Sequence, residues 1–291
     1  PMQPEGTVQG ALGLMHELQN WLGELTGLPG VCMSPAAGAH GELAGIMTIK
    51  RAHELKGQSQ RKIILTPDSA HGTNPATAAT CGYQVRNIST KETGMLGIEA
   101  FKEALYKTDP NGADIAGMMV TNPNTCGLFE KDIRELADLL HMAGGYFYMD
   151  GANFNALVGK IRPADFGVDV MHINLHKTFC IPHGGGGPGM GPIACKKHLQ
   201  VYLPNHPVIK DCGPTSGIGA VSAAPWGSSS ILSISWMYIK MMGSEGLKLA
   251  TQVAILNANY IAHRLKNHFP ILYKGANGNV AHECIIDIRN I

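Results

Sequence analysis

Charge is scarce in this sequence. Only 15% of its 291 residues are Asp, Glu, Lys or Arg, against about 25% in an average soluble domain. The 23 Lys and Arg nearly balance the 22 Asp and Glu, leaving +1 with His neutral. Basic residues never run beyond a pair (Lys50-Arg51, Arg61-Lys62, Lys196-Lys197). A nucleic-acid binder resting on bulk basicity is thereby excluded. The sequence also lacks an internal repeat and the pattern of a secretory signal. Its seven Cys lie far apart and never form a Cys-x-x-Cys pair. That excludes a disulfide framework and a structural zinc site. It points to a reducing compartment: the cytoplasm, or the mitochondrial matrix in a eukaryote.

What is present is an ordinary core and an excess of small residues. Hydrophobic residues make up 44%, with 36 Gly and 14 Met. Low charge with this composition predicts much hidden surface, through a large core or, the favoured reading, an obligate subunit interface. Residues 212–239 carry no charge, long enough to span a bilayer. Pro214, Pro225, several Gly and seven Ser interrupt the stretch, so a buried or interface segment is expected, and no membrane span. The chain begins at Pro1 and stops at Ile291 beside a strand-like run. A fragment of a longer protein is expected.

Periodicity then divides the chain. Val8, Ala11, Leu12, Met15, Leu18, Leu22 and Leu25 recur at three and four, a helix ending near Gly27 and Pro29. A second helix is predicted from about Gly41. Strands are predicted at 62–66, 83–88, 115–121, 146–150, 170–175 and 192–196, with helices over 97–107 and 130–143. Such alternation implies an α/β fold with a mostly parallel sheet and helices on both faces. A long helix is predicted from about residue 244 and a last strand over His282–Ile288. The division expected is a large domain over 1–244, then a linker helix and an incomplete small α+β domain over 245–291.

Ligands of such sheets lie at the carboxyl ends of the strands. Pro67 through Thr73, with His71, follows the strand at 62–66. Asn122 follows 115–121. Asp150 ends 146–150 and precedes Gly151-Ala152. His176-Lys177-Thr178 follows the strand at 170–175, and Ser34 through Gly41 leads into the second helix. Singly, each has a plain structural role as a turn, cap or solvated group. Lys177, however, sits between an apolar strand and Phe179-Cys180-Ile181, a poor place for a solvated ammonium.

Together the set fits pyridoxal phosphate. That cofactor needs a Lys amine for a Schiff base and an acid for its pyridine nitrogen. Its phosphate suits a helix N-terminus. Asp150 and Lys177 are 27 residues apart, one strand–loop–strand unit, which predicts neighbouring strand ends. The glycine run from His183 to Gly191 is neither a Walker loop nor a dinucleotide fingerprint. It reads as backbone passing close to a ligand or a neighbouring subunit. His172, His176 and His183 have no carboxylate at ligand spacing, so no metal is expected.

Asp150-Gly151-Ala152-Asn153, Asn174 through Phe179, His183 through Pro192, Ser34 through Glu42 and Pro67 through Ala76 resemble the pyridoxal-phosphate glycine decarboxylases, the P-proteins of the glycine cleavage system. The likeness covers essentially the whole chain and is greatest to the C-terminal half, or second subunit. It implies the aminotransferase-like large domain of type I pyridoxal-phosphate enzymes. It implies glycine dehydrogenase (aminomethyl-transferring) activity, in which glycine loses CO2 and its aminomethyl group passes to the lipoyl arm of the H-protein. By the same resemblance, Lys177 carries the cofactor, Asp150 meets its ring nitrogen and His71 stacks on the ring. Ala37, Gly38 and Ala39 form the phosphate turn, with Asn122, Ala152 and His176 beside them. The partners implied are glycine, lipoylated H-protein and a companion P-protein subunit or half, in a homo- or hetero-oligomer. Another type I lyase or aminotransferase, or an inactive truncated partner subunit, are the alternative readings.

Overall fold

The periodic run near the N-terminus folds as helix α1, Gln9–Thr26, and stops where Gly27 turns left-handed at φ 71°. In the computed structural model, which describes residues 3–289, it packs on one face of a seven-stranded sheet. Pro1 and Ile291, on which the fragment expectation rests, lie outside the described residues.

The strands are β1 (Gly30–Cys32), β2 (Ile63–Pro67), β3 (Gln84–Ile88), β4 (Ile115–Thr121), β5 (Tyr146–Asp150), β6 (Val170–His172) and β7 (Ile193–Cys195), in spatial order β1-β7-β6-β5-β4-β2-β3. Strands β2 through β6 run parallel, and β7 is antiparallel to both its neighbours. The helices are α2 (Gly38–Leu55), α3 (Thr73–Thr80), α4 (Ile98–Tyr106), α5 (Ile133–Met142), α6 (Leu175–Thr178) and α7 (Leu232–Leu265). After β3 the chain returns to the other side of β2, so the order reverses between β2 and β4. A crevice at that reversal is where such sheets bind ligands.

Strand alternation sorts the core into two layers. On β5, Phe147 and Met149 join α1, α4 and α5 through Leu18, Leu22, Phe101 and Leu136. Tyr146 and Tyr148 point the other way, toward Ile46 and Ile49 of α2. Each such fully buried large side chain contributes about 1.5–3 kcal/mol. Because β4 is buried at all seven positions, its run is continuously apolar, as expected for a strand covered on both faces.

Several elements differ from expectation. Helix α3 was not anticipated, because Thr73–Thr80 carries no large apolar side chain to mark a period; Asn74, Thr77 and Ala78 are its buried residues. The strand expected over 170–175 ends at His172. The Asn174 carbonyl accepts from the Lys177 and Thr178 N–H groups, which curls the chain into α6. The last helix begins at Leu232 rather than 244 and breaks at Gly243, φ 60° and ψ −175°, a conformation open essentially to glycine alone. The strand expected over His282–Ile288 is reduced to a single bridge, Ile271 to Ile286. The uncharged stretch 212–239 is not wholly buried: Ile234 and Met237 of α7 are exposed. Among the described residues no helix is long and apolar enough to cross a membrane.

Candidate active site

Parallel strands and right-handed crossovers bring loop after loop to one edge of the sheet. There a cavity of about 340 Å³ opens, lined by Gly38, Ala39, Glu42, His71, Thr73, Thr121, Thr125, Asp150, Ala152, Asn153, His172, Asn174, Lys177 and Glu283. A larger, mainly apolar cavity of about 730 Å³ lies between Leu128, Leu157, Ile255 and Val280. Neither Asp150 nor Lys177 lines it, so size does not decide the assignment here.

Asp150 ends β5 and is 4% exposed. Burial pushes its carboxyl up, yet four partners outweigh that and hold it below the usual carboxylate range: His172, the Ala152 N–H, Asn74 and Lys177. The contacts are Ala152 N to Oδ1 at 2.9 Å, Asn74 Nδ2 to Oδ2 at 3.1 Å and His172 Nε2 to Oδ1 at 3.5 Å. Asp150 is therefore a buried anion held by donors. Lys177, exposed on α6, faces the same cavity from the short helix that follows the neighbouring parallel strand β6.

The opposite wall is the first turn of α2. Ala37, the residue before it, offers no side-chain cap, so the leading N–H groups stay free, with the positive end of the helix dipole at the cavity. Gly38 is required by a close approach: a Cβ there would overlap Asn174 Oδ1. Glu42, one turn further on, is 1% exposed. Burial raises its carboxyl, and Asp150 adds like-charge repulsion, against the hydrogen bonds of Thr77 and Thr73. Thr73 Oγ1 donates to Glu42 Oε2 at 3.0 Å and lies 2.8 Å from His71 Nδ1.

Thus Lys177, Asp150, His71, Gly38, Ala39 and Ala152 come together as expected. Three residues expected beside them stand outside the wall. Asn122 is wholly buried, and its Oδ1 accepts from the Glu130 N–H at 3.0 Å, which ties down the loop after β4. His176 points away because α6 places consecutive side chains about 100° apart; its Nδ1 lies 3.2 Å from the Met190 carbonyl and its ring 4.4 Å from His183. Ala37 sits behind the turn, where its carbonyl accepts from Gly41. The glycine run splits likewise. Gly184 to Gly186 are exposed with open space around them, while Gly191 donates to the Pro35 carbonyl at 3.1 Å and packs under the turn before α2.

Sequence reasoning missed Glu42, Thr73, Asn74, Thr121, Thr125, Asn153, His172, Asn174 and Glu283. For His172 a signal existed. Tyr148 pairs with Val170 and Met149 with Met171, so His172 falls beside Asp150 on the same face. Thr121 Oγ1, Asn174 Oδ1 and Glu42 Oε1 are buried without a protein partner. Three polar atoms of one cavity lining, unpartnered among the described residues, suit a polar guest. Among the described residues no cluster of His, Cys, Asp and Glu fits a metal ion.

The family model described as "Glycine cleavage system P-protein" matches residues 1–209, and "Glycine dehydrogenase, C-terminal domain" matches 250–291. Over 291 residues the chain is 60% identical to the glycine dehydrogenase (decarboxylating) of Pelagibacter ubique, covering all of this chain and 30% of that protein. The chain thus spans about 30% of the length of the curated relatives it matches. Among solved structures, an inhibitor-bound glycine decarboxylase (P-protein) aligns with TM-score 0.68 and 22% identity over 92% of this chain and 60% of that one. An alanine–glyoxylate aminotransferase from Nostoc aligns with TM-score 0.70 and 17% identity over 96% and 72%. At those identities the structural likeness speaks for the fold, an aminotransferase-like large domain. With a family model matched over most of its length, the chain belongs to the glycine cleavage system P-protein family.

Proposed function

We propose that this chain carries the pyridoxal-phosphate site of a glycine decarboxylase. The observation that carries the reading is one cavity that gathers a buried Asp150 held below the usual carboxylate range, the Lys177 amine and, facing them, the uncapped start of α2. The residues fit the cofactor: an anion for a protonated ring nitrogen, an amine for covalent attachment, free N–H groups for a phosphate, and orphaned polar atoms for its substituents.

When bound, the cofactor supplies an electron sink for the pair released at the glycine α-carbon as CO2 leaves. The chain's own residues prepare for this. His172, the Ala152 N–H, Asn74 and Lys177 together hold the Asp150 carboxyl below the usual range against its burial, so it would favour a proton on the ring nitrogen. Lys177, whose amine lines the cavity, would be the point of covalent attachment for the cofactor. The N–H groups of Gly38 and Ala39, at the uncapped start of α2, would hold a phosphate. His71, exposed at the mouth and anchored by Thr73, would cover the ring.

The partners that follow are glycine, the lipoylated H-protein that takes the aminomethyl group, and a companion P-protein half. The division into a large domain over 1–244 and an incomplete small domain over 245–291 is supported by the helix break at Gly243 and by the C-terminal family match from residue 250. The location proposed is a reducing compartment, the cytoplasm or, in a eukaryote, the mitochondrial matrix.

The test is direct. The chain is mixed with pyridoxal phosphate and followed for a visible band that borohydride fixes onto Lys177. Exchange of labelled CO2 into glycine is then measured with lipoylated H-protein and the companion half. A chain that stays colourless, or exchange that does not depend on glycine, overturns the reading.

A further inference from the structure

We infer that Tyr148 and His172 form a buried relay that presents His172 Nε2–H to the Asp150 carboxylate. Both are then positioning residues for the acid that would meet the cofactor's ring nitrogen, a role that rests on the function proposed above.

Strand parity puts the three side chains together. Tyr148 and Asp150 are two apart on β5, and His172 is Asp150's neighbour on β6. All three face α2 and are at most 4% exposed. The Tyr148 hydroxyl contacts His172 Nδ1 in a short hydrogen bond. The two rings stack with centroids 6.1 Å apart and planes 22° apart. On the other side His172 Nε2 lies 3.5 Å from Asp150 Oδ1.

The protons follow from what each atom can do. Asp150 is an acceptor when ionised, so a lone pair on Nε2 would face another lone pair. Nε2 must therefore carry the hydrogen. In neutral imidazole Nδ1 is then the acceptor, and among the described residues its partner is the Tyr148 hydroxyl. Burial raises the Tyr148 phenol well above its ordinary range, with Glu42 and Asp150 adding repulsion, so it keeps the O–H it donates. Tyr148 thus sets the tautomer, and the tautomer aims a donor at Asp150. Glu42 and Lys177 are the other charged side chains facing this group. Glu42 opposes a second negative charge nearby, which makes the donor from His172 matter more.

The test uses the cofactor-free chain with 15N-labelled histidine. His172 is expected to show a protonated Nε2 and an unprotonated Nδ1 between pH 6 and 8. In Tyr148→Phe the Nδ1 resonance is expected to move toward that of a lone pair without a donor. In the double variant Tyr148→Phe/His172→Phe both polar partners go together, which spares the fold a buried orphan. There the 13C-labelled Asp150 carboxyl is expected to bind its proton at least tenfold more tightly than in the parent chain. A merely structural role would change the melting temperature and leave that affinity alone. A neutral His172 protonated at Nδ1, an Nδ1 signal indifferent to Tyr148→Phe, or an unchanged Asp150 titration overturns the relay. A chain with this coupling that binds no pyridoxal phosphate keeps the relay and sinks the functional reading instead.

Discussion

Asn74 donates its side-chain amide to Asp150 Oδ2 across 3.1 Å. The bond joins the start of a helix after β2 to the end of β5, on the far side of β4. It leaves Asn74 Oδ1 buried without a partner. The acid is thus oriented by a residue 76 positions away, and a donor is all that Asn74 can offer it.

Asp150→Asn tests the electrostatic part of this arrangement. The volume is unchanged, so the chain is expected to fold and, on the proposed function, still to take the cofactor at Lys177. The anion is lost, and glycine–CO2 exchange in the assembled enzyme is expected to fall about 10²–10³-fold, as when a preorganised charge-stabilising group is removed. Full exchange in this variant would remove Asp150 from its role.

Lys177→Ala separates attachment from folding. The side chain is exposed, so unfolding free energy is expected to move by no more than about 0.5 kcal/mol. The borohydride-fixed adduct is expected to vanish, as read by peptide mass mapping of 175–190. A persisting adduct would place the tether on another lysine.

His282 gives a pH dependence. Burial holds its imidazole down at about 4, with repulsion from Lys177 added. The free side chain titrates near 6.5. Between those values the unfolded state binds more protons, so stability rises with pH and is lost as pH falls from about 6.5 toward 4. Above 6.5 the effect is absent. Hydrogen exchange over residues 280–286 is expected to quicken across that window, and His282→Gln to flatten the change. Exchange equally slow at pH 4.5 and 7 in the parent chain would contradict the assignment.

Gly38→Ala probes the phosphate turn. The new Cβ would overlap Asn174 Oδ1, and such overpacking costs about 1–3 kcal/mol. Both the melting temperature and the affinity for pyridoxal phosphate are expected to drop, measured by thermal denaturation and by absorbance titration. Ala39→Ser, at an exposed position, serves as the control that leaves stability near the parent value.

Much of the frame was legible in the residues. The continuous apolar run of β4 and the three–four spacing of α1 locate themselves, because burial on two faces or on one stripe writes a period into the chain. Asp150 and Lys177 were legible for a related reason: a charge at the end of an apolar strand has few structural uses. Helix α3 was not legible, since Thr, Asn and Ala carry no period. Nor was the end of β6, where backbone hydrogen bonds to Asn174 override the apolar run through Leu175.

The sequence by itself determined a parallel α/β sheet, the acid and amine at its carboxyl edge, and the small-residue turn opposite them. All of these follow from local hydrophobic period and residue chemistry. Tertiary structure alone decided that Glu42, Asn74 and His172 gather around Asp150, and that Asn122 and His176 turn away. Those facts depend on strand register and on the direction of each side chain, and neither is encoded at any single position. A shift of one residue in the pairing of β5 with β6 would carry His172 to the opposite face of the sheet.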